Sequence, residues 1–386
     1  MPITAFSSSR GMELDVEQLL ARLAEEGAQT ALAKASPIPE EWKSHISTDL
    51  ECPSCFRRGA EVVRAGRSKS DGQVVRQAYF RFGKSGTTTG HHPFCDFTGN
   101  VPAGHIPENL VLFSTAKDGV SRAVRELVCK GIALHIFEQR DIRAMREWFF
   151  RQKQQSQFVV TLEPGLPAWL ESLGRYCHWT PRRSARHFVL TDDVLKIPAF
   201  DFKAAARTEL ALRYQPVLKE MFDKKIFLHG VSGRIEKMAT DFQDKSVFDP
   251  TALAEHYGLT QDFAEFICVN HAPLAKLGND NAPLISLKNT KYLLAFAALL
   301  LFISDWELNA AVGKFARIVS TSVTLDETLG NVMGLNPFYD FEAWAMLKNL
   351  QELSNIEVPA MTVKEELEVW ITDARRRAGL HPPESP

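Results

Sequence analysis

The sequence lacks the short motifs that announce common chemistries. There is no HExxH, no GxSxG and no glycine-rich dinucleotide fingerprint, which excludes the zinc-protease, serine-hydrolase and dinucleotide sites those motifs build. Phe82-Gly-Lys-Ser-Gly86 ends like a phosphate-binding loop, but the first glycine such a loop needs is Ala78. Cysteine is scarce: six in 386 residues cannot make a disulfide framework. The opening stretch MPITAFSSSRGMELD has no apolar run of the kind a secretory leader needs, and residues 1–11 read as disordered. No hydrophobic run approaches the ~20 residues that cross a bilayer. The longest, Tyr292 to Ile303, reads as a central buried helix. An excess of charge is missing too, since a net −2 gives no global pull toward nucleic acid or anionic lipid. Any basic surface must be local. The expectation is a cytoplasmic protein without a membrane partner.

With 45% hydrophobic and 24% charged residues, the chain can bury a core, and its length suggests two or three domains. Val16, Leu19, Leu20 and Leu23 fall at helical spacing, so Asp15 to Lys34 reads as an amphipathic helix. Ser36-Pro37-Ile38-Pro39 stops it. From about Glu51 to His105 the texture turns to short alternating stretches with glycine turns, including strand character at Val62-Val63 and a longer strand from Val74 to Phe82. Helical periodicity resumes at Asp118, with Ile142, Met145 and Phe149 marking a second helix. Residues 157–200 are mixed, with strands expected at Phe158–Leu162 and His187–Leu190 and a short helix from Trp169 to Leu173 between them. From about Phe200 to Arg377 nearly everything is helical. The fold class is therefore α+β. Five segments follow: a tail and helix over 1–47, a β-rich module over 48–105, a mixed α/β region with basic helices over 106–200, a helical domain over 201–378 and a disordered tail over 379–386.

The cysteines are not spread evenly. Cys52-Pro-Ser-Cys55 is a knuckle whose two thiolates can reach one ion at ~2.3 Å. His91-His92-Pro-Phe-Cys95 supplies a second. Cys52, Cys55, His92 and Cys95 are the expected ligands of one Zn2+, because His92 and Cys95 repeat the two-residue gap of the first knuckle; His91 remains the alternative, and His105 an outside one. Strands between the knuckles would fold the second back onto the first. Four such ligands make a closed structural site with no open position for a water. The remaining thiols, Cys129, Cys177 and Cys268, sit in apolar or mixed surroundings and read as buried.

Between the knuckles eight basic residues, among them Arg57, Arg58, Arg76 and Arg81, face only Glu61 and Asp71. Tyr79, Phe80 and Phe82 interleave with the arginines. That pattern suits a single-stranded nucleic acid, with guanidiniums for phosphates and rings for stacking. It equally suits a small core with a solvated outer face. The segments CPSC, RQAYFRF and HHPFCDF together resemble the N-terminal zinc-binding module of competence-protein CoiA-like proteins. The likeness covers residues 52–97, with Tyr79 where that family has histidine. It implies a downstream restriction-endonuclease-like domain, with an Asp and a Glu-x-Lys on adjacent strands to hold magnesium.

That second pattern is not spelled out. Glu41-Trp42-Lys43 precedes the module, and neither Glu163 nor Asp192/Asp193 is followed by the required lysine. A second basic feature is the helix face of Arg140, Arg143 and Arg151, with a basic loop over 181–187. The expectation is a zinc-stabilised, nucleic-acid-associated protein whose helical half serves as a scaffold or protein-partner platform. A divergent nuclease within 106–200, and an interaction scaffold with a purely structural zinc, are the alternatives.

Overall fold

A computed structural model describes residues 1–27, 37–67, 74–83, 90–98, 106–113, 118–177, 190–280, 287–324, 326–353 and 359–380. The fold is α+β, with small antiparallel sheets near the N-terminus and a mainly helical C-terminal half. Two compact units are present, each built from two stretches of chain: Met1–Ser156 with Pro250–Tyr339, and Gln157–Asp249 with Asp340–Pro386.

The chain starts in the first unit with strands β1 (Thr4–Ser7) and β2 (Met12–Asp15). The N-terminal segment is thus ordered, contrary to the expectation for residues 1–11. Its serines look solvated in sequence, yet Ser7 Oγ donates to Asp49 at 2.5 Å and Ser8 Oγ to Glu51 at 3.0 Å. Ala5 and Phe6 are buried beside them. Helix α1 (Val16–Glu26) begins at a capping box, in which Asp15 accepts from the Gln18 amide and Gln18 returns the bond. It buries Val16, Leu19 and Leu23 and has its C-cap at Gly27; the rest of the expected helix, 28–34, lies outside the described residues. Helix α2 (Glu40–Asp49) then leads into β3 (Leu50–Glu51), which pairs with β1.

The β-rich module follows as β4 (Ala60–Val63), β5 (Gly66–Arg67), β6 (Val74–Arg76) and β7 (Tyr79–Phe82). The single strand expected over 74–82 is two, interrupted at Gln77-Ala78. β4 pairs antiparallel with β7, Ala60 opposite Phe82. Phe80 and Phe82 turn inward and are fully buried, and the Phe80 amide donates to the Pro2 carbonyl at 2.9 Å. Strand β8 (Leu110–Leu112) and helices α3 (Gly119–Ala133) and α4 (Gln139–Gln155) complete the first stretch.

Next comes the second unit. β9 (Gln157–Val159) opens it, and helices α5 (Leu166–Cys177), α6 (Asp192–Leu195), α7 (Phe202–Arg213), α8 (Gln215–Asp223) and α9 (Ser232–Phe242) follow. β10 (Ser246–Phe248), which the sequence did not announce, pairs antiparallel with β9. Of the strand expected at 187–190, residues 187–189 lie outside the described residues, as do His105 and the basic loop 181–187.

The chain then returns to the first unit with α10 (Ala254–Asn270), α11 (Ala272–Asp280), α12 (Lys291–Phe302) and α13 (Leu308–Ser320). Helix α12 is apolar on every face, and Leu293 to Leu301 are all buried, as the run from Tyr292 to Ile303 predicts. A helix without a polar face is stable only when surrounded. Lys314 caps its C-terminus by donating to the Ile303 carbonyl and Ser304 Oγ, both at 2.9 Å. The chain turns back through Asp305 and Trp306, both left-handed at φ 51° and 62°. Strand β11 (Met333–Leu335) pairs with β8 more than two hundred residues earlier. There Arg146 of α4 donates to Glu13 of β2 at 2.7 Å and to the Met333 carbonyl, all of it buried. Helices α14 (Phe341–Gln351) and α15 (Val363–Arg377) close the second unit. Its core gathers Leu170, Leu210, Ile235, Leu347 and Val363 from five helices.

The units do not coincide with the contiguous segments read from the sequence. Both the 106–200 region and the 201–378 region are divided between them, and α12 shares a unit with the β-rich module. Local periodicity identifies helices but carries no information on which distant helix each one meets.

Candidate metal centre

Both knuckles are tight turns fixed by backbone bonds. In the first, the Phe56 amide donates to the Cys52 carbonyl at 3.0 Å and the Cys52 amide to the Arg57 carbonyl at 2.9 Å. Phe56 takes the left-handed conformation, φ 60°, that closes the turn. In the second, the Cys95 amide donates to the His92 carbonyl at 2.9 Å and the Phe97 amide points at Cys95 Sγ, 3.4 Å away. Antiparallel β4 and β7 carry the chain out and back between them. Gly90 then passes so close to β7 that a Cβ there would fall 1.8 Å from the Phe82 carbonyl oxygen. Only glycine allows that approach, and it sets the following residue, His91, over the first knuckle.

Four donor atoms converge as a result: the sulfurs of Cys52, Cys55 and Cys95 and Nδ1 of His91, all on buried residues and within 4.8 Å of one another. His91 Nδ1 stands 3.4, 3.7 and 3.3 Å from the three sulfurs in that order, and Cys52 Sγ is 3.8 Å from Cys95 Sγ. A tetrahedral ion with sulfur at ~2.3 Å and nitrogen at ~2.0–2.1 Å has S···S edges of about 3.8 Å and N···S edges of about 3.5 Å. The donors therefore lie where such an ion puts them. No disulfide joins them. Burial drives the Cys52 thiol far up and the Cys95 thiol to about 12, while donation from both pulls Cys55 down. Three thiolates cannot be buried together without positive charge among them.

The histidine that converges with the three sulfurs is His91, where the sequence favoured His92. The matched spacing with Cys95 that favoured His92 is used differently: the His92 carbonyl closes the turn, and its ring points away. His92 Nδ1 accepts from the Phe94 amide at 3.2 Å, Nε2 lies 3.3 Å from Gln154, and the ring meets Phe150 edge-on at 5.0 Å. The far nitrogen of His91, Nε2, is buried with no hydrogen-bond partner among the described residues, held between Phe82 at 5.6 Å and Phe97 at 6.3 Å.

A polar layer surrounds the knuckles and reaches residues far from them in sequence. Ser54, between the first pair of cysteines, donates to Asp96 Oδ2 at 2.7 Å and accepts from the Asp96 amide at 3.0 Å. Oδ1 of Asp96 takes Lys153 at 3.0 Å and Asn109 at 3.2 Å. Burial alone would raise the Asp96 carboxyl; Lys153 and the hydroxyl and amide donors outweigh it and hold the group below its ordinary range. Serine and aspartate beside the ligands were visible in the sequence, but nothing tied Lys153 to them.

The arginines expected to form a basic surface are largely engaged with carboxylates. Arg58 pairs with Glu51 at 3.1 Å, Arg81 with Glu61, and Arg151 with Glu147 at 2.6 Å. Arg143 donates to Glu51 and Glu147 and lies between the rings of Phe56 and Phe6, 4.9 and 5.3 Å from their centres. Arg57 and Arg140 are exposed, and Arg76 lies on β6 with its side chain outside what is described. Glu51, just before the first knuckle, is the counter-charge that counting residues between the knuckles overlooks. With Phe80 and Phe82 buried, only Tyr79 of the three aromatics reaches partway to the surface.

The other carboxylates considered do not assemble a second centre. Glu41 is on a helix, and Asp192 starts α6 and pairs with Arg377 at 2.8 Å. Among the described residues, the Cys3His group is the one cluster of metal-type ligands. Cys129, Cys177 and Cys268 are buried singly, with burial raising Cys177 and Cys268 to about 11. No described helix is long and apolar enough to cross a membrane. Comparison with protein-family models, with curated proteins and with solved structures finds no match.

Proposed function

We propose that the first unit holds one structural Zn2+ through Cys52, Cys55, His91 and Cys95, and that the chain is a zinc-stabilised binding protein. The carrying observation is the tetrahedral spacing of four buried soft donors. Four protein ligands leave no position for water or substrate, so the ion supplies folding energy in place of chemistry. The likeness of residues 52–97 to CoiA-like zinc modules supports the same metal. The nuclease half it implies has no support in a clustered set of carboxylates among the described residues.

Between a nucleic acid and a protein as the bound partner, the geometry favours a protein. Four of the seven arginines would have to leave a carboxylate to meet a phosphate. The second unit meanwhile exposes the apolar side chains of Phe222 and Phe227, 50% and 70% accessible, which offer nothing to a phosphate.

Elemental analysis of the protein purified without added metal should give one zinc per chain, and Cys55→Ser should lose it together with the protease resistance of residues 48–98. Binding to single- or double-stranded DNA or RNA should be weak at low salt. Tight binding whose logarithm falls with log salt by ~0.7–0.9 per phosphate contact would restore the nucleic-acid reading. Metal-free wild-type protein with unchanged protease resistance would overturn the zinc assignment.

A further inference from the structure

The residues around the knuckles are arranged as a connection as well as a brace. Ser54 sits between Cys52 and Cys55, and Asp96 directly follows Cys95. Their two reciprocal hydrogen bonds latch one knuckle to the other. The second oxygen of Asp96 is then held by Lys153, whose side chain is 8% exposed and belongs to the last turn of α4. Two neighbours on the C-terminal end of the helix also grip the knuckles. Phe150 meets the rings of both Phe56 and His92, and Gln154 lies 3.3 Å from His92. Each of these contacts is made to a residue within a knuckle or directly beside it. α4 ends at Gln155, immediately before the chain passes into the second unit at Gln157.

We infer that the Ser54–Asp96–Lys153 chain couples metal binding to the order of the last turn of α4, with Asp96 and Lys153 acting as positioning residues for the metal site. This rests on the zinc reading above. A buried charge that loses its partner is strongly destabilising. Release of the metal frees Cys95, moves Asp96 with it and leaves Lys153 buried without its counter-charge. Coupling is reciprocal: whatever stabilises the last turn of α4 tightens the metal by the same factor. Outer groups that orient metal ligands commonly change affinity by ~10–100-fold when removed.

The test measures zinc affinity by competition with a chromophoric chelator, and amide hydrogen exchange of residues 149–155 in zinc-loaded and chelator-stripped full-length protein. Stripping should accelerate exchange in that turn, while the second unit's helices are unaffected. Lys153→Met should weaken zinc by ~10–100-fold and abolish the metal dependence of exchange at 149–155; Lys153→Arg, which keeps the charge, should recover most of both. Asp96→Asn, which keeps a group for Ser54 to bond, guards against a misfolded Lys153 variant and should also weaken zinc. A merely structural role would lower stability equally with and without zinc and leave affinity untouched. Zinc-binding wild-type protein whose α4 exchange ignores the metal, or whose affinity survives Lys153→Met, would refute the coupling. A wild-type protein that takes up no zinc would instead refute the metal assignment.

Discussion

The two nitrogens of His91 meet opposite surroundings, and the difference makes the ligand assignment testable. Nδ1 faces three sulfurs, whereas Nε2 is enclosed by aromatic rings without an acceptor among the described residues. An unsatisfied buried donor costs about 1–3 kcal/mol, which a metal bond on the other nitrogen offsets. His91→Ala should therefore release the metal, while His92→Ala should retain one ion per chain with at most a small loss of affinity from the Phe150 and Gln154 contacts. Equal metal content in both variants, or its loss only from His92→Ala, would reverse the assignment. The knuckles themselves were legible because thiolate spacing is a local requirement. The choice between adjacent histidines was not, since it depends on Gly90 lying against Phe82 across the pairing of β4 and β7. The same holds for the surface charge: Arg143 meets Glu51 across ninety-two positions of sequence, so a count of basic residues in one segment misjudges what is free.

At the scale of elements, α12 is the clearest case of a sequence stating its own environment. Leu299 is 2% exposed on a helix with no polar face. Leu299→Asp would bury an unpaired carboxylate, a change that costs several kcal/mol against a typical total of ~5–15 kcal/mol. Reading the chain as contiguous domains would have the metal module survive that substitution. The structure places α12 in the same compact unit as the module, so the expected outcome is different: the first unit loses its cooperative thermal transition, metal retention weakens with it, and the second unit keeps its own. Separate melting of wild-type and variant, followed by limited proteolysis, distinguishes the cases. An unchanged first transition would mean that Leu299 is not enclosed. Capping boxes at Asp15, Asp118 and Thr362 show how much of the helix placement was written locally. Strands β10 and β11, three residues each, were not, because such short strands are defined by their partners.

For the whole molecule, acid should be destabilising well above the carboxylate range. His256 and His271 are both held below the ordinary imidazole value, in each case first by burial. His256 packs against Trp306 at 4.1 Å and Trp148 at 5.5 Å, and its Nδ1 has no partner among the described residues. Because the folded values lie below the unfolded ~6.5, the unfolded chain binds more protons as pH falls through that region. Stability is complete above about pH 6.5 and declines as the pH drops toward the folded values. Asp49 and Asp96, held low in the fold, add a second loss only near pH 4. Urea midpoints measured at fixed excess zinc should fall between pH 7.5 and 5.5, and replacing both His256 and His271 by phenylalanine should flatten that fall. A wild-type midpoint independent of pH in this window would contradict the burial of the two rings.

The chain passes between its two units three times, after Ser156, Asp249 and Tyr339, and this orders the events of its synthesis. The first unit lacks β11 and the Met333 partner of Arg146 until residue 339 has been made. At ~5–20 residues per second, on the order of ten to forty seconds separate that point from the emergence of Ser156. For nearly all of the interval Arg146 and Glu13 await their third partner at Met333, and α12 is itself not made until residue 302. The last metal ligand, Cys95, is by then long complete. An ion bound by those four donors on the nascent chain would therefore hold only residues 48–98 in their native arrangement, while the rest of the first unit waits for Met333.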